Sequence, residues 1–119
     1  MAATDMIATN LLRIQNQLKV YHWQTNSYAK HVAFGGAYDD LSALIDGFVE
    51  ILMGIEGIVA IAPIKLANKN QKDETEFILE SIGIIKKMKG ELEEYPDLLN
   101  IADEMIGVLG KLKYLLTLK

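Results

Sequence analysis

The chain has 119 residues, of which half are apolar and 24% are charged. This length and composition predict one globular domain over residues 1–119, because nothing in the sequence marks a linker. The net charge of −4 and the lack of a basic tail argue against a nucleic acid as partner, since a phosphate backbone is bound by clustered Lys and Arg.

The first residues, Met-Ala-Ala-Thr-Asp, lack the positive and apolar regions of a signal peptide. No apolar run reaches the roughly 18 residues that span a bilayer. We therefore expect a cytoplasmic protein without a membrane partner. Because the chain has no cysteine, any metal must be held by His, Asp and Glu, and such ligands favour iron, manganese or zinc.

Apolar residues recur at steps of three and four in the first half of the chain, which predicts two helices. The first covers residues 4–25, with Thr4 as its cap, and the second runs from about 29 to about 57. The first apolar stripe is Ile7, Leu11, Ile14, Leu18 and Tyr21. The second stripe is Phe34, Leu41, Leu44, Ile45, Phe48, Ile51, Leu52 and Ile55.

A long connection follows, because the periodicity fails around Pro63 and Asn68–Asn70 is a loop signal. Its length suits a crossover that travels along a bundle, although a short helix over 61–67 is an alternative. A third helix is predicted for residues 73–90, and Pro96 marks the start of a fourth. The sequence thus predicts an all-α bundle of four helices with a long connection between the second and third, or an up-down bundle with a plain loop.

The two histidines, His22 and His31, lie on either side of the first helical hairpin. A histidine at the edge of a buried stripe is more often a hydrogen-bonded structural residue than a ligand. Asp46 and Glu50 share one face of the second helix, where a solvated acidic surface is the usual interpretation. Small residues flank them, however, and favour contact with another helix: Gly36, Ala43, Gly47 and Gly54.

His31 and Asp46 are fifteen residues apart, or roughly 22 Å on a continuous helix. One chain cannot bring them together. If two copies of the second helix pack antiparallel about a two-fold axis, the His31 end of one lies against the Asp46 end of the other. Each of two sites would then combine His22 and His31 of one chain with Asp46 and Glu50 of its partner, a ligand set suited to Fe²⁺.

Three segments resemble the mini-ferritins, the Dps branch of the ferritin-like superfamily: Tyr21-His22-Trp23, Ala29-Lys30-His31 and Leu44 to Glu50. In that family a His-Trp pair ends the first helix, a second His opens the next, and an Asp four residues before a Glu completes a ferroxidase centre across a dimer interface. The resemblance implies a ferritin-like four-helix bundle and at least a homodimer. It implies that His22, His31, Asp46 and Glu50 bind iron (Fe²⁺/Fe³⁺), with Mn²⁺ or Zn²⁺ as alternatives.

The chain departs from the family at Gly35, where an acidic ligand is often found one turn after the second His. Asp39 could replace it only if the helix were displaced by about a turn. Two hypotheses therefore stand: a ferroxidase that oxidises Fe²⁺ with peroxide or oxygen, and a ferritin-like assembly protein that has lost full metal chemistry. For Tyr21 and Trp23, packing and the quenching of radicals are equally weighted interpretations.

Overall fold

The structure, a computed structural model, describes residues 6–119, and within this range the chain forms four helices and no strand. The helices are α1 (Ile7–Gln24), α2 (Tyr28–Glu56), α3 (Glu74–Gly90) and α4 (Pro96–Leu115). The all-α prediction is confirmed, and the predicted bounds hold to within a few residues. The predicted cap, Thr4, lies outside the described residues. None of these four helices is both long and apolar enough to cross a bilayer.

Polar side chains and a proline define where the later helices begin. The Ser27 hydroxyl accepts a hydrogen bond from the Lys30 backbone N–H (3.3 Å), so it caps α2. The Asp73 carboxylate accepts one from the Glu76 N–H (2.9 Å) and caps α3. Pro96 opens α4, where its missing N–H costs no helical hydrogen bond.

The core is one apolar cluster to which all four helices contribute. Each helix packs against two neighbours, in the cyclic order α1, α2, α4, α3. The whole predicted stripe of α1 is buried, and so are Phe34, Leu41, Ile45, Phe48 and Leu52 of α2. Ile55 was expected in the same stripe but is 41% exposed, because it lies in the last turn of α2 beyond the packed core.

The helices α2 and α3 run in the same direction. Lys30, near the start of α2, donates from its ammonium to Glu74 Oε1 at the start of α3 (3.0 Å), so both helices begin at the same end of the bundle. The chain leaves α2 at the opposite end. Residues 57–73 must therefore return along the length of the bundle before α3 can begin.

This crossover lies against α1, which holds it with polar side chains. The Thr9 hydroxyl accepts from the Ala62 N–H (3.0 Å). The Gln17 amide both donates to the Ala67 carbonyl (2.8 Å) and accepts from the Ala67 N–H (2.8 Å). The alternative of a short helix over 61–67 is wrong, because these backbone groups bond to α1 instead of to one another.

We expect Gln17→Leu to lower the free energy of unfolding by about 1–3 kcal/mol, because the partly buried N–H and carbonyl of Ala67 would lose their partners on the buried Gln17 amide. Urea unfolding followed by circular dichroism measures this. Gln24→Leu is the matched control, since Gln24 makes its hydrogen bonds to Asn68 and Lys69 in exposed positions. Equal losses in the two variants would contradict the assigned role of Gln17.

Candidate metal centre

His22 and His31 face each other across the first hairpin. His22 lies in the last turn of α1 and His31 in the first turn of α2, with only residues 25–27 between the two helices. This tight link is held by the Ser27 N–H, which donates to the Thr25 hydroxyl (3.2 Å). Because the link is so short, the end of α1 is fixed directly beside the start of α2.

The two imidazole rings stack, with centroids 3.9 Å apart and an interplanar angle of 17°. Nδ1 of His22 lies 2.7 Å from the carbonyl oxygen of His31, and Nδ1 of His31 lies 2.9 Å from that of His22. A carbonyl can only accept, so each Nδ1 carries the hydrogen and donates it. In the neutral rings, both Nε2 atoms therefore keep a lone pair, which is the arrangement found in metal-binding histidines whose other nitrogen is held by a carbonyl.

Gly35 lies under the ring of His22. A Cβ at this position would lie 2.9 Å from His22 Cε1 and 3.0 Å from its Nδ1, closer than real Cβ contacts allow. The sequence identified Gly35 only as a missing carboxylate. The structure adds that the imidazole occupies the space a longer side chain would need, so the stacked position of His22 and an acidic side chain at residue 35 exclude each other.

Aromatic side chains surround the histidine pair on the outside. The ring centroids of Tyr28 and His31 are 6.3 Å apart, and Tyr28 is 81% exposed. Trp23 is 69% exposed, so its interpretation as a packing residue is wrong within the single chain. The Lys19 ammonium lies 5.8 Å from the Trp23 ring centroid and 4.5 Å from that of Tyr38. The end of the hairpin thus presents large apolar surfaces beside the two rings.

Tyr21, in contrast, is fully buried, as its packing interpretation requires. Its hydroxyl donates to the Lys72 carbonyl (3.0 Å) and so helps to fix the end of the crossover. Burial and, to a smaller extent, the nearby Glu74 carboxylate together raise the pKa of Tyr21 to about 12. The phenol therefore remains a protonated donor at neutral pH.

Asp46 and Glu50 are exposed on the outer side of α2. They share that helix with His31, and the fifteen-residue interval separates them from the histidine pair by roughly 22 Å along its axis. Within residues 6–119, no three potential ligands from His, Asp and Glu gather around a common point. A single chain therefore presents a pair of imidazoles at one place and a pair of carboxylates at another.

We expect Gly35→Ala to displace the His22 ring and break its bond to the His31 carbonyl, because the new Cβ meets the ring at 2.9 Å. The substitution should lower the free energy of unfolding by about 1 kcal/mol. Imidazole proton shifts in NMR, together with urea unfolding, measure both effects.

Gly83→Ala is the matched control, since a Cβ at Gly83 of α3 would meet, among residues 6–119, no atom within 4 Å outside its own helix backbone and its two chain neighbours. There the change should raise the free energy of unfolding by about 0.5–1 kcal/mol, as alanine normally does inside a helix. The same gain in both variants, with unmoved histidine signals, would contradict the contact between Gly35 and His22.

Comparison with known proteins identifies relatives of the chain. The profile of a family of unknown function (DUF5856) matches residues 22–116, a range that contains both histidines, Asp46 and Glu50. The chain is 30% identical over 113 residues to the "Uncharacterized 14.6 kDa protein in mobD-ri intergenic region" of Enterobacteria phage T4. This match covers 92% of the chain and 84% of the phage protein. No solved structure matches the chain.

Proposed function

We propose that the chain, which belongs to the family of unknown function DUF5856, is a cytoplasmic iron-binding protein of the mini-ferritin type that works as a homo-oligomer of at least two chains. Each of two equivalent sites would join His22 and His31 of one chain to Asp46 and Glu50 of the other. The observation that carries the proposal is the stacked histidine pair, in which both Nδ1 atoms bond to backbone and both Nε2 atoms keep their lone pairs.

The arrangement of the helices supports the ferritin-like part of the proposal. The helices α2 and α3 are parallel, and a single long crossover joins them along α1. Ferritin-like bundles have one long crossover, whereas up-down bundles have only short loops. The path of residues 57–73 along the bundle therefore favours the ferritin-like arrangement over the up-down alternative.

An antiparallel pair of α2 helices would unite the two halves of each site. The point midway between His31 and Asp46 lies between residues 38 and 39, near the middle of the exposed side of α2. A two-fold axis at that point places the histidines of each chain opposite the carboxylates of the other. Two imidazole nitrogens and two carboxylates make a donor set that suits Fe²⁺, and also Mn²⁺ or Zn²⁺.

The ligand set fits one ion per site better than two, because the His22 ring fills the space of a further carboxylate at position 35. Fe²⁺ is the substrate in this proposal. Each ferrous ion gives up one electron, and a peroxide molecule that takes two electrons and two protons becomes two molecules of water. The contribution of the protein is to hold Fe²⁺ with anionic oxygens, which favour the Fe³⁺ product.

We expect His31→Ala and Asp46→Ala each to abolish Fe²⁺ binding, measured without oxygen, and the growth of iron-dependent absorbance under peroxide. When the two variants are refolded together in equal amounts, about a quarter of the sites should recover, because half of the dimers are mixed and each mixed dimer holds one intact site. Asp103→Ala, an exposed aspartate on α4, is the control and should bind normally.

Two outcomes would overturn the proposal. If either single variant bound Fe²⁺ as well as the original chain does, the substituted residue would not be a ligand. Failure of the mixture to recover any sites, although mixed dimers form, would show that the four residues do not act across a chain boundary.

A non-catalytic assembly protein is the second candidate, and the contact between His22 and Gly35 favours it, because the His22 ring leaves no room at position 35 for the further carboxylate of a full ferroxidase centre. In that case, elemental analysis should find no metal after growth in iron-rich medium. Thermal unfolding should also be unaffected by Fe²⁺, Mn²⁺ or Zn²⁺. A stoichiometric metal, or a rise in melting temperature with any of these ions, would exclude this candidate.

A further inference from the structure

A groove of about 720 Å³ lies between the first half of α2 and the second half of α4. It follows residues 32–44 of α2, a length of roughly 18 Å at 1.5 Å per residue. Apolar side chains of both helices form its walls, among them Leu44, Val108 and Leu115. Val32, at one end, is 53% exposed. An exposed apolar surface of this kind, with charged residues at its edge, is typical of a protein contact.

Carboxylates outnumber ammonium groups at the edge of the groove. Asp39 and Asp40 on α2 and Glu104 on α4 are exposed, and Lys111 is the one cation among the lining residues. Within residues 6–119, none of the three carboxylates forms an ion pair with a basic side chain. The edge therefore carries a net negative charge that the described part of the chain does not neutralise.

This negative charge selects among the partners that an apolar groove could accept. It repels the phosphates of a nucleic acid and the anionic surface of a membrane. A second copy of the chain, which also has a net charge of −4, would bring one acidic edge toward another. A partner with basic side chains beside an apolar stripe matches both the walls and the edge of the groove.

We propose that the groove binds an amphipathic α-helix of another protein, whose apolar stripe lies on the groove walls and whose Lys or Arg side chains face Asp39, Asp40 and Glu104. A helix in such a groove makes contact through residues at steps of three and four. Residues 32–44 offer room for about three turns of it. The proposed contact needs neither metal nor the histidine pair, because His31 faces α1 and the groove borders α4.

The charge also differs between the two ends of the groove. The helix α4 runs antiparallel to α2, because α3 is parallel to α2 and a short turn reverses the chain between α3 and α4. Glu104 therefore lies toward residue 44, and Lys111 lies toward residue 32. We expect the basic residues of the partner to concentrate at the Glu104 end, whereas the Lys111 end favours a neutral or acidic residue.

The probe for this contact is a capped, fluorescently labelled peptide of about fifteen residues, with leucine at steps of three and four and lysine on both sides of the leucine stripe. Fluorescence anisotropy measures its dissociation constant on the metal-free chain at about 0.15 M salt, where distant charges are screened. A scrambled peptide keeps the charge but not the stripe, and a peptide with glutamate for lysine keeps the stripe but not the charge. Each control peptide should bind at least about tenfold more weakly.

Neutral substitutions test the contribution of the acidic edge. Glu104→Gln should raise the dissociation constant of the lysine peptide about two- to fivefold, because one attractive pair is lost. Asp39→Asn combined with Asp40→Asn should raise it roughly tenfold, since two pairs are lost. Glu56→Gln is the matched control for Glu104→Gln, because Glu56 is an exposed glutamate at the end of α2, outside the groove.

The lysine at the other end should respond with the opposite sign. Lys111→Gln should lower the dissociation constant of the lysine peptide about two- to fivefold, because it removes a repulsion. Lys113→Gln, which makes the same change at an exposed position of α4 outside the groove, should leave the constant unchanged. The methyl signals of Val108 and Leu115 in NMR should shift when the peptide binds, since both side chains line the groove.

Several outcomes would contradict the proposed contact. One is a lysine peptide that binds no more tightly than the scrambled or glutamate peptide, and another is binding that does not weaken in the acidic-edge variants. Bound peptide that leaves the methyl signals of Val108 and Leu115 unmoved would lie elsewhere on the surface. If the metal-free chain self-associates and the associated form excludes the peptide, a second copy covers the groove and the proposed partner is wrong.

Discussion

The bundle depends on the need to satisfy the backbone polar groups of an extended segment that returns along its side. An extended segment that lies against a helix has no neighbouring strand for its backbone hydrogen bonds. Its buried N–H and carbonyl groups therefore need partners from side chains of the rest of the protein. Gln17 meets this need for Ala67 with both ends of one amide, and Thr9 does so for Ala62. The crossover fixed in this way makes α2 and α3 parallel, and it occupies the surface of α1 while leaving the outer side of α2 uncovered.

The histidine pair joins α1 to α2, and in the proposed site it would also bind the metal. The reciprocal bonds from each Nδ1 to the other residue's carbonyl join α1 to α2, and the stacked rings fill the space over Gly35. These bonds use only one nitrogen of each ring. The link that secures the hairpin therefore also fixes the tautomer in which Nε2 is free to bind a cation, so a structural role and a ligand role do not exclude each other.

The sequence predicted the helices well, because their apolar periods are long and their ends carry Ser27, Asp73 and Pro96. It could not decide the conformation of residues 61–67, whose partners Thr9 and Gln17 lie about fifty positions earlier in the chain. The apolar periodicity of a segment indicates which of its own residues are buried. It does not reveal contacts with residues about fifty positions away. The signal that could have helped was the polar character of two residues beside the buried stripe of α1.

The candidate site could be predicted from the sequence only in part. The spacing of His22 and His31 across a short turn was enough to place them together, because helix ends joined by three residues must be adjacent. Their stacking on Gly35 depends on side-chain conformations that spacing does not encode. The exposure of Trp23 was missed because a large aromatic residue beside a buried stripe fits a packed and an outward position equally well.

The helix α2 carries three surfaces, and in the proposed dimer their arrangement would link metal binding to association. Its inner side forms the core, the side toward α1 carries His31, and the side toward α4 lines a largely apolar groove between the two helices. If each site takes ligands from two chains, an ion binds the dimer and not the monomer, and so it stabilises the dimer by mass action. In that case the coupling would be reciprocal, because any contact that strengthens the dimer would strengthen its affinity for the ion by the same factor.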